Sequence, residues 1–207
     1  MNLAPARRFS GDRLVIATHN RGKLEEIAKL LEPFQVAVIS AGQLGLPEPE
    51  ETATTFEGNA RIKAHAAARA TGLPALADDS GLEVDALGGA PGVWTADWAE
   101  TPVGRDFGMA MTRVHEELLA SGTTAPWTAR FRCTLVLAWP DGYDAVFKGK
   151  IAGQIVWPMR GAQGHGFDPI FQPEGRDQTF GEIDRWEKNR ISHRADAFRK
   201  LIAGCFT

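Results

Sequence analysis

From Thr128 to Ile155 the chain alternates with a period of two on either side of a tight turn. Ala129, Phe131, Cys133, Leu135, Leu137 and Trp139 alternate with Thr128, Arg130, Arg132 and Thr134. Beyond Pro140-Asp141-Gly142, Tyr143, Ala145, Phe147, Ile151 and Ile155 alternate with Asp144, Lys148, Lys150 and Gln154. Successive side chains of a strand point to opposite faces, so the pattern predicts a long antiparallel hairpin with one buried face. Any sheet that takes up this hairpin beside parallel neighbours must be mixed.

The first third of the chain supplies such neighbours. Leu14-Val15-Ile16-Ala17 is a short apolar run, followed by Thr18-His19-Asn20-Arg21-Gly22-Lys23 and then by Leu24, Ile27, Leu30 and Leu31 at helical spacing. Asn20 is the expected N-cap. A strand, a tight polar turn and a helix bring free N–H groups and the positive end of a helix dipole to one place, and Lys23 adds a full charge. The turn is suited to an anion, although the Walker pattern is missing.

Phe34–Ile39 reads as a second strand, and the polar loop after it carries Glu48, Glu50 and Glu51, of which only one need matter. Thr54-Thr55-Phe56-Glu57 has the form of a capping box, opening an alanine-rich helix to about Ala70 with Asn59 and Lys63 on one face. Val103, Phe107, Met111, Val114 and Leu118 mark a further helix that ends before Ser121. Asp184 and Glu187 form another capping box, and Ser192 is placed to cap a fresh helix, with a break where His193 and Arg194 stand. Residues 1–12 read as a disordered tail, and residues 13–207 as a single domain.

With 43% apolar and 24% charged residues, the composition is that of an ordinary soluble globular protein. A net charge of −3 argues against a protein built to coat nucleic acid. Cys133 and Cys205 show no paired spacing and fit a reducing compartment. Neither a membrane span nor a secretion signal is evident, so a cytoplasmic location is expected.

Ala77-Asp78-Asp79-Ser80-Gly81 stands between the apolar runs Leu73–Leu76 and Leu82–Leu87. Alone, these five residues read most simply as an acidic turn. The alternative is a metal or general-base site, because charge at the edge of a core needs a cation or hydrogen bonds to offset it. If the pair lies on a strand, its side chains point to opposite faces and need not share a duty. Gly161 to Gly166 admits two readings as well, a backbone that approaches a flat ligand or a plain loop. Taken together, the anion turn with Lys23, the carboxylates Glu51, Asp78 and Asp79, and the cations Lys63, Lys188 and Arg194 suit a nucleoside polyphosphate with Mg²⁺.

The order and wording of the motifs strengthen that reading. Thr18–Lys23, Thr55-Phe56-Glu57-Gly58-Asn59-Ala60, Ala77–Leu82 with Leu87–Gly92, Gly166-Phe167-Asp168-Pro169-Ile170-Phe171, and Glu187-Lys188 with Ile191-Ser192-His193-Arg194 follow one another in that sequence. In this the chain strongly resembles the inosine triphosphate pyrophosphatase family, from about residue 13 to the C-terminus. The resemblance implies an α/β fold, a long mixed sheet with helices and two lobes flanking a central active-site cleft. It implies a homodimer that uses Mg²⁺ to hydrolyse dITP, ITP and XTP to monophosphate and pyrophosphate.

By the same resemblance, Thr18, His19, Asn20, Arg21, Gly22 and Lys23 hold the triphosphate, and Glu51 and Asp79 serve the metal. Asp79 is also the general base, and Ser80 is a substrate contact. Lys63, His165, Gly166, Phe167, Asp168, Lys188, His193 and Arg194 complete the nucleotide-binding set. Arg194 can only donate, so it matches a 6-oxo purine and leaves donors unpaired against adenine. Two departures stand out: His165 where an aromatic is common, which predicts weaker stacking, and Asp97 where an arginine is common. A non-catalytic nucleotide sensor and a phosphatase releasing orthophosphate are the rival readings.

Overall fold

The computed structural model describes residues 7–19 and 21–206, with the backbone alone of Arg21 and Glu26. The expected cap Asn20 lies outside the described residues. In chain order come β1 (Arg13–Ile16), α1 (Arg21–Leu31), β2 (Ala37–Ser40), α2 (Phe56–Thr71) and β3 (Ala75–Val84). They are followed by the short strands β4 (Glu100–Thr101) and β5 (Gly104–Arg105), α3 (Phe107–Ala120), and the hairpin strands β6 (Trp127–Ala138) and β7 (Asp144–Ile155). The chain closes with β8 (Phe171–Pro173), α4 (Arg185–Ile191) and α5 (His193–Leu201).

Six strands share one sheet in the order β2-β1-β3-β6-β7-β8, and β4 and β5 pair separately. β1 runs parallel to β2 and to β3, with Val15 beside Ala75 and Ile16 beside Leu76. β7 and β8 are antiparallel, with Ile155 beside Phe171. The fold is therefore α/β with a long mixed sheet, as the alternating hairpin requires.

Contacts along the chain divide it into two compact units, the first formed by residues up to Asp79, Thr134–Lys148 and the segment from Ala197. Its core packs Val15, Ala75, Ala77 and Val136 against the alanine face of α2, namely Ala60, Ala64, Ala67 and Ala68. Small side chains on that face let the helix lie close on the strands. The second unit, Ser80–Cys133 with Gly149–Asp196, has a core in which Leu82, Val84, Val114, Leu118, Phe131, Phe167, Phe171 and Phe180 are buried. Each such side chain contributes about 1.5–3 kcal/mol by leaving water.

Several local expectations shift for identifiable reasons. Asp78 to Gly81 is not a turn between two strands: β3 runs unbroken through it, with buried neighbours on both sides. A strand inside a sheet satisfies its backbone by pairing, which the acidic residues tolerate because each finds a lysine. Thr55 caps α2, its side chain accepting from Gly58 N, so the cap lies one residue later than the Thr54–Glu57 pattern suggests. Glu57 is thereby freed for the ion pairs that it makes with Arg61 and Lys148. Val103 belongs to the β4–β5 connection, almost fully exposed, and α3 starts at Phe107 behind the cap Asp106. Phe34 ends a 3-10 turn before β2.

The second half of the expected tail is tied down within the first unit. Phe9 N donates to Cys205 O and the Phe9 ring stacks on Phe206 at 5.0 Å. Arg7 pairs with Asp141 at 2.8 Å and lies over the Tyr143 ring at 4.4 Å. Residues 1–6 are outside the described set. On the far side of α2, Arg61 and His65 converge on Asp144 at 3.0 and 2.9 Å. Burial works against the Asp144 carboxylate, but hydrogen bonds from Arg61 and His65 prevail and hold it below the usual range.

Candidate active site

The first unit assembles its charges on three elements. Lys23 is the third residue of α1, and its ammonium pairs with Asp78, whose side chain is almost fully buried. Lys63, in the middle of α2, donates to Glu51 at 2.9 Å and to Asp79 at 3.3 Å. One turn earlier on the same helix face, Asn59 Oδ1 accepts from Ala53 N at 2.9 Å and so fixes the loop that delivers Glu51. Of the loop acids Glu48, Glu50 and Glu51, it is Glu51 that reaches this lysine. His19 Nε2 lies 2.8 Å from Leu46 O, which ties the turn after β1 to that loop.

Alternation on β3 sends Asp78 and Asp79 to opposite faces, and each meets a lysine from a different helix. Their environments are not balanced. Burial pushes the Asp79 carboxyl up; Lys63 pulls it down, while Glu51 and Asp78 push it up again, leaving it at about 6. For Lys63, burial disfavours the ammonium, but Asp79, Glu51 and Asp78 more than offset this and hold it charged. Among the described residues Asp79 Oδ2 is buried with no hydrogen-bond partner. Three carboxylates among the described residues thus face two ammonium groups, and the orphaned oxygen marks where further positive charge is wanted.

In the second unit the charges are held differently. Asp168, 2% exposed, accepts from His165 N at 2.5 Å and pairs with the ammonium of Lys188. Lys188 projects from α4, which Asp184 caps by accepting from Trp186 N at 2.9 Å. Glu187 pairs with Arg176, so only half of the capping box forms. The break between α4 and α5 falls at Ser192, whose hydroxyl accepts from Ala195 N at 3.2 Å and caps the new helix. Directly after it His193 stacks on Phe131 at 4.9 Å, and Arg194 donates to Ser80 Oγ at 3.4 Å.

The glycine-rich loop owes its composition to the chain itself. A Cβ on Gly161, at φ +83°, would overlap the Gly181 carbonyl, and one on Gly164 would overlap the Asp168 carboxylate. Phe167 is buried edge-on against Phe107, leaving His165 as the exposed ring of this segment. Thr95 takes an unforeseen part: its hydroxyl accepts from Leu82 N at 3.0 Å and donates to Gly92 O, fastening the glycine turn to β3.

The candidate residues of the sequence fall into two clusters. Glu51, Lys63, Asp78 and Asp79 meet with Lys23 in the first unit, and Ser80, His165, Asp168, Lys188, His193 and Arg194 lie in the second. Asn20 and the Arg21 side chain are outside the described residues. Phe131 and Phe180, which back the second cluster, carry no signal beyond their apolar strand or loop context.

A mixed parallel and antiparallel sheet flanked by helices, with a carboxylate–lysine cluster in the first unit, defines an α/β protein with a charged site suited to an anionic substrate. Residues 14–204 match the family model described as the Ham1 family, and the chain belongs to that family. It is 68% identical to a dITP/XTP pyrophosphatase of Ruegeria pomeroyi over 97% of its length and 98% of the relative's. It is 56% identical to a protein of the same name from Rhodospirillum centenum over the same shares of both chains. Among solved structures, a HAM1 protein from Coxiella burnetii superposes with a TM-score of 0.87 at 37% identity, covering 92% of this chain and 96% of that one. The Ham1 protein of Staphylococcus aureus gives 0.82 at 35% identity, with the same coverage.

Proposed function

We infer that this chain hydrolyses non-canonical purine nucleoside triphosphates (dITP, ITP and XTP) to the monophosphate and pyrophosphate, keeping the nucleotide pool free of them. The observation that carries the mechanism is Asp79, a buried carboxylate raised to about 6 beside Lys63 and Glu51 with one oxygen unpartnered. Raised above an ordinary carboxylate, Asp79 is suited to accept a proton from an attacking water. Asp79 is the catalytic residue of this reading.

The donor set also fits a divalent cation. Among the described residues no group of three or more His, Cys, Asp or Glu forms a metal cage. Mg²⁺ is commonly held by one or two carboxylates, with water and substrate phosphate filling its other positions. Glu51 and Asp79 are hard oxygen donors, and they would hold it. Bound there, the ion supplies charge neutralisation to the phosphates and polarises the phosphorus under attack. Lys63 restrains both carboxylates, and Asp78 holds Lys23 where it draws the triphosphate together with the turn Thr18–Lys23.

His165, Gly166, Phe167, Asp168, Lys188, His193 and Arg194, with Ser80, take the nucleoside in this reading. Arg194 is a donor and cannot accept, so it favours a purine with a 6-oxo group over one with a 6-amino group. We further propose that the protein acts as a cytoplasmic homodimer without nucleic-acid or membrane partners. The net charge of −3 argues against a nucleic-acid partner, and no helix among the described residues is long and apolar enough to cross a membrane.

Incubation with dITP, XTP, dGTP and dATP in the presence of Mg²⁺, scored for monophosphate and pyrophosphate, tests the reaction. Turnover of dITP and XTP to these two products is expected. Orthophosphate release would indicate a phosphatase, and no turnover of any purine triphosphate would leave a sensor.

A further inference from the structure

Lys188 and His193 rest on one and the same aromatic cluster. Phe131, Phe171 and Phe180 are 6%, 0% and 0% exposed. Phe131 meets Phe171 edge-on at 4.7 Å and stacks with Phe180 at 6.1 Å, while Phe171 and Phe180 lie 5.3 Å apart. The His193 imidazole lies flat on Phe131, 4.9 Å away with 16° between the ring planes. Lys188 Nζ stands 5.3 Å from the centre of the Phe180 ring. All five residues belong to the second unit.

An aromatic face carries the negative lobe of the ring quadrupole, so it attracts a cation and orients a stacked ring. Lys188 is thus restrained by two independent groups, the Asp168 carboxylate and the Phe180 face. A leucine at either phenylalanine would fill much of the same core volume but offer neither attraction. The aromatic identity of these positions has a use that packing alone does not require.

We propose that Phe180 and Phe131 are positioning residues for nucleotide binding: Phe180 sets Lys188 and Phe131 sets His193. The proposal rests on the assignment of Lys188 and His193 to the nucleotide in the preceding subsection. The core holds both groups at fixed geometry before substrate arrives, which limits the ordering cost of binding.

The test is steady-state kinetics with dITP on Phe180→Leu and Phe131→Leu, alongside thermal melting. Each substitution is expected to raise KM about fivefold, as the loss of one partly desolvated cation–π or stacking contact allows, with kcat changed less than twofold. Val114→Ala, in the core of the same unit, is the control: it lowers the melting temperature and leaves KM in place. Phe180→Leu is then crossed with Lys188→Met. In the Lys188→Met background the leucine should raise KM no further, because its effect passes through the ammonium. A wild-type KM in Phe180→Leu, or the same rise with and without Lys188, would overturn the proposal. An inactive wild-type protein would overturn the functional reading itself, whereas an active one with an indifferent Phe180 overturns only this inference.

Discussion

Among the described residues, three carboxylates around Asp79 share two ammonium groups, whereas around Lys188 one carboxylate meets one ammonium on an aromatic floor. The first cluster is unbalanced by charge, and its imbalance appears as an Asp79 held at about 6 by burial and by acidic neighbours against the pull of Lys63. The second is closed by shape. Asp168 uses one oxygen for both His165 N–H and Lys188, and glycines let the neighbouring loop settle on Gly181. Such a difference separates two jobs. Charge left uncompensated can be offset by what binds, and so suits the chemical step; a packed frame suits recognition, where geometry must already be in place.

Removing the charge at Asp79 should produce the largest functional effect. Asp79→Asn is expected to lower turnover of dITP about 10³- to 10⁴-fold, the upper range for loss of a general base, with nucleotide binding largely kept. Near-normal turnover would remove Asp79 from the chemistry. The same substitution should not lower thermal stability in metal-free buffer at pH 8. The Asp79 carboxyl is raised from 3.8 to about 6, so the folded chain binds its proton more tightly than the unfolded chain. Stability from this group is therefore lost as pH rises from about 4 to 6, and asparagine avoids that loss at pH 8. Melting curves from pH 4 to 8 check it: a variant clearly less stable than wild type at pH 8 would mean that the Lys63–Asp79 pair outweighs the burial of the charge.

The second cluster should fail in selectivity before it fails in rate. Arg194→Met removes a donor-only group that sits 3.4 Å from Ser80 Oγ. The ratio of kcat/KM for dITP to that for dATP should fall about 10²-fold, as when a polar discriminator becomes an apolar wall. An unchanged ratio would move recognition of the 6-position to another residue.

A change of shape alone gives the sharpest contrast with Asp79→Asn. In Gly161→Ala the new Cβ meets the Gly181 carbonyl at a φ that alanine rarely adopts. Strain and overlap together should cost roughly 2–4 kcal/mol, or about 5–15 °C in a chain of this size. KM should rise about tenfold through the displaced segment 164–168. A melting temperature within 2 °C or so of wild type, on the scale of about 2–4 °C per kcal/mol, would show that the loop can yield.

These two regions were not equally legible in the sequence. Strict alternation makes the hairpin from Thr128 to Ile155 readable, because a pattern of period two fits no helix. Splitting Asp78 from Asp79 follows from the same rule. Their lysines do not follow from it: Lys23 and Asp78 are 55 positions apart, and only the packing of α1 brings them together. The anchoring of Arg7 on Asp141, 134 positions away, is hidden for the same reason. Local rules err by one where two candidates compete, as when Thr55 rather than Thr54 caps α2. In the second cluster the motif residues are visible but their support is not. Phe131 and Phe180 look like any other core phenylalanine, and the glycines fit a ligand loop as well as a packed one.

His165 offers the smallest and most specific probe of the comparison. Its backbone N–H is fixed by Asp168 while the side chain is exposed, so a larger ring can be placed there without disturbing the core. Stacking of a purine on phenylalanine should exceed that on imidazole by about 0.5–1 kcal/mol, and His165→Phe should therefore lower KM for dITP about two- to fivefold with kcat unchanged. The sign is opposite to that expected for Phe180→Leu, although both changes alter a single aromatic in the same unit. A variant that binds dITP no more tightly would mean that residue 165 does not stack on the base. Recognition in the second unit would then rest on the other residues of the set, Lys188, His193 and Arg194 among them, and the departure at this position would be without consequence for the nucleotide.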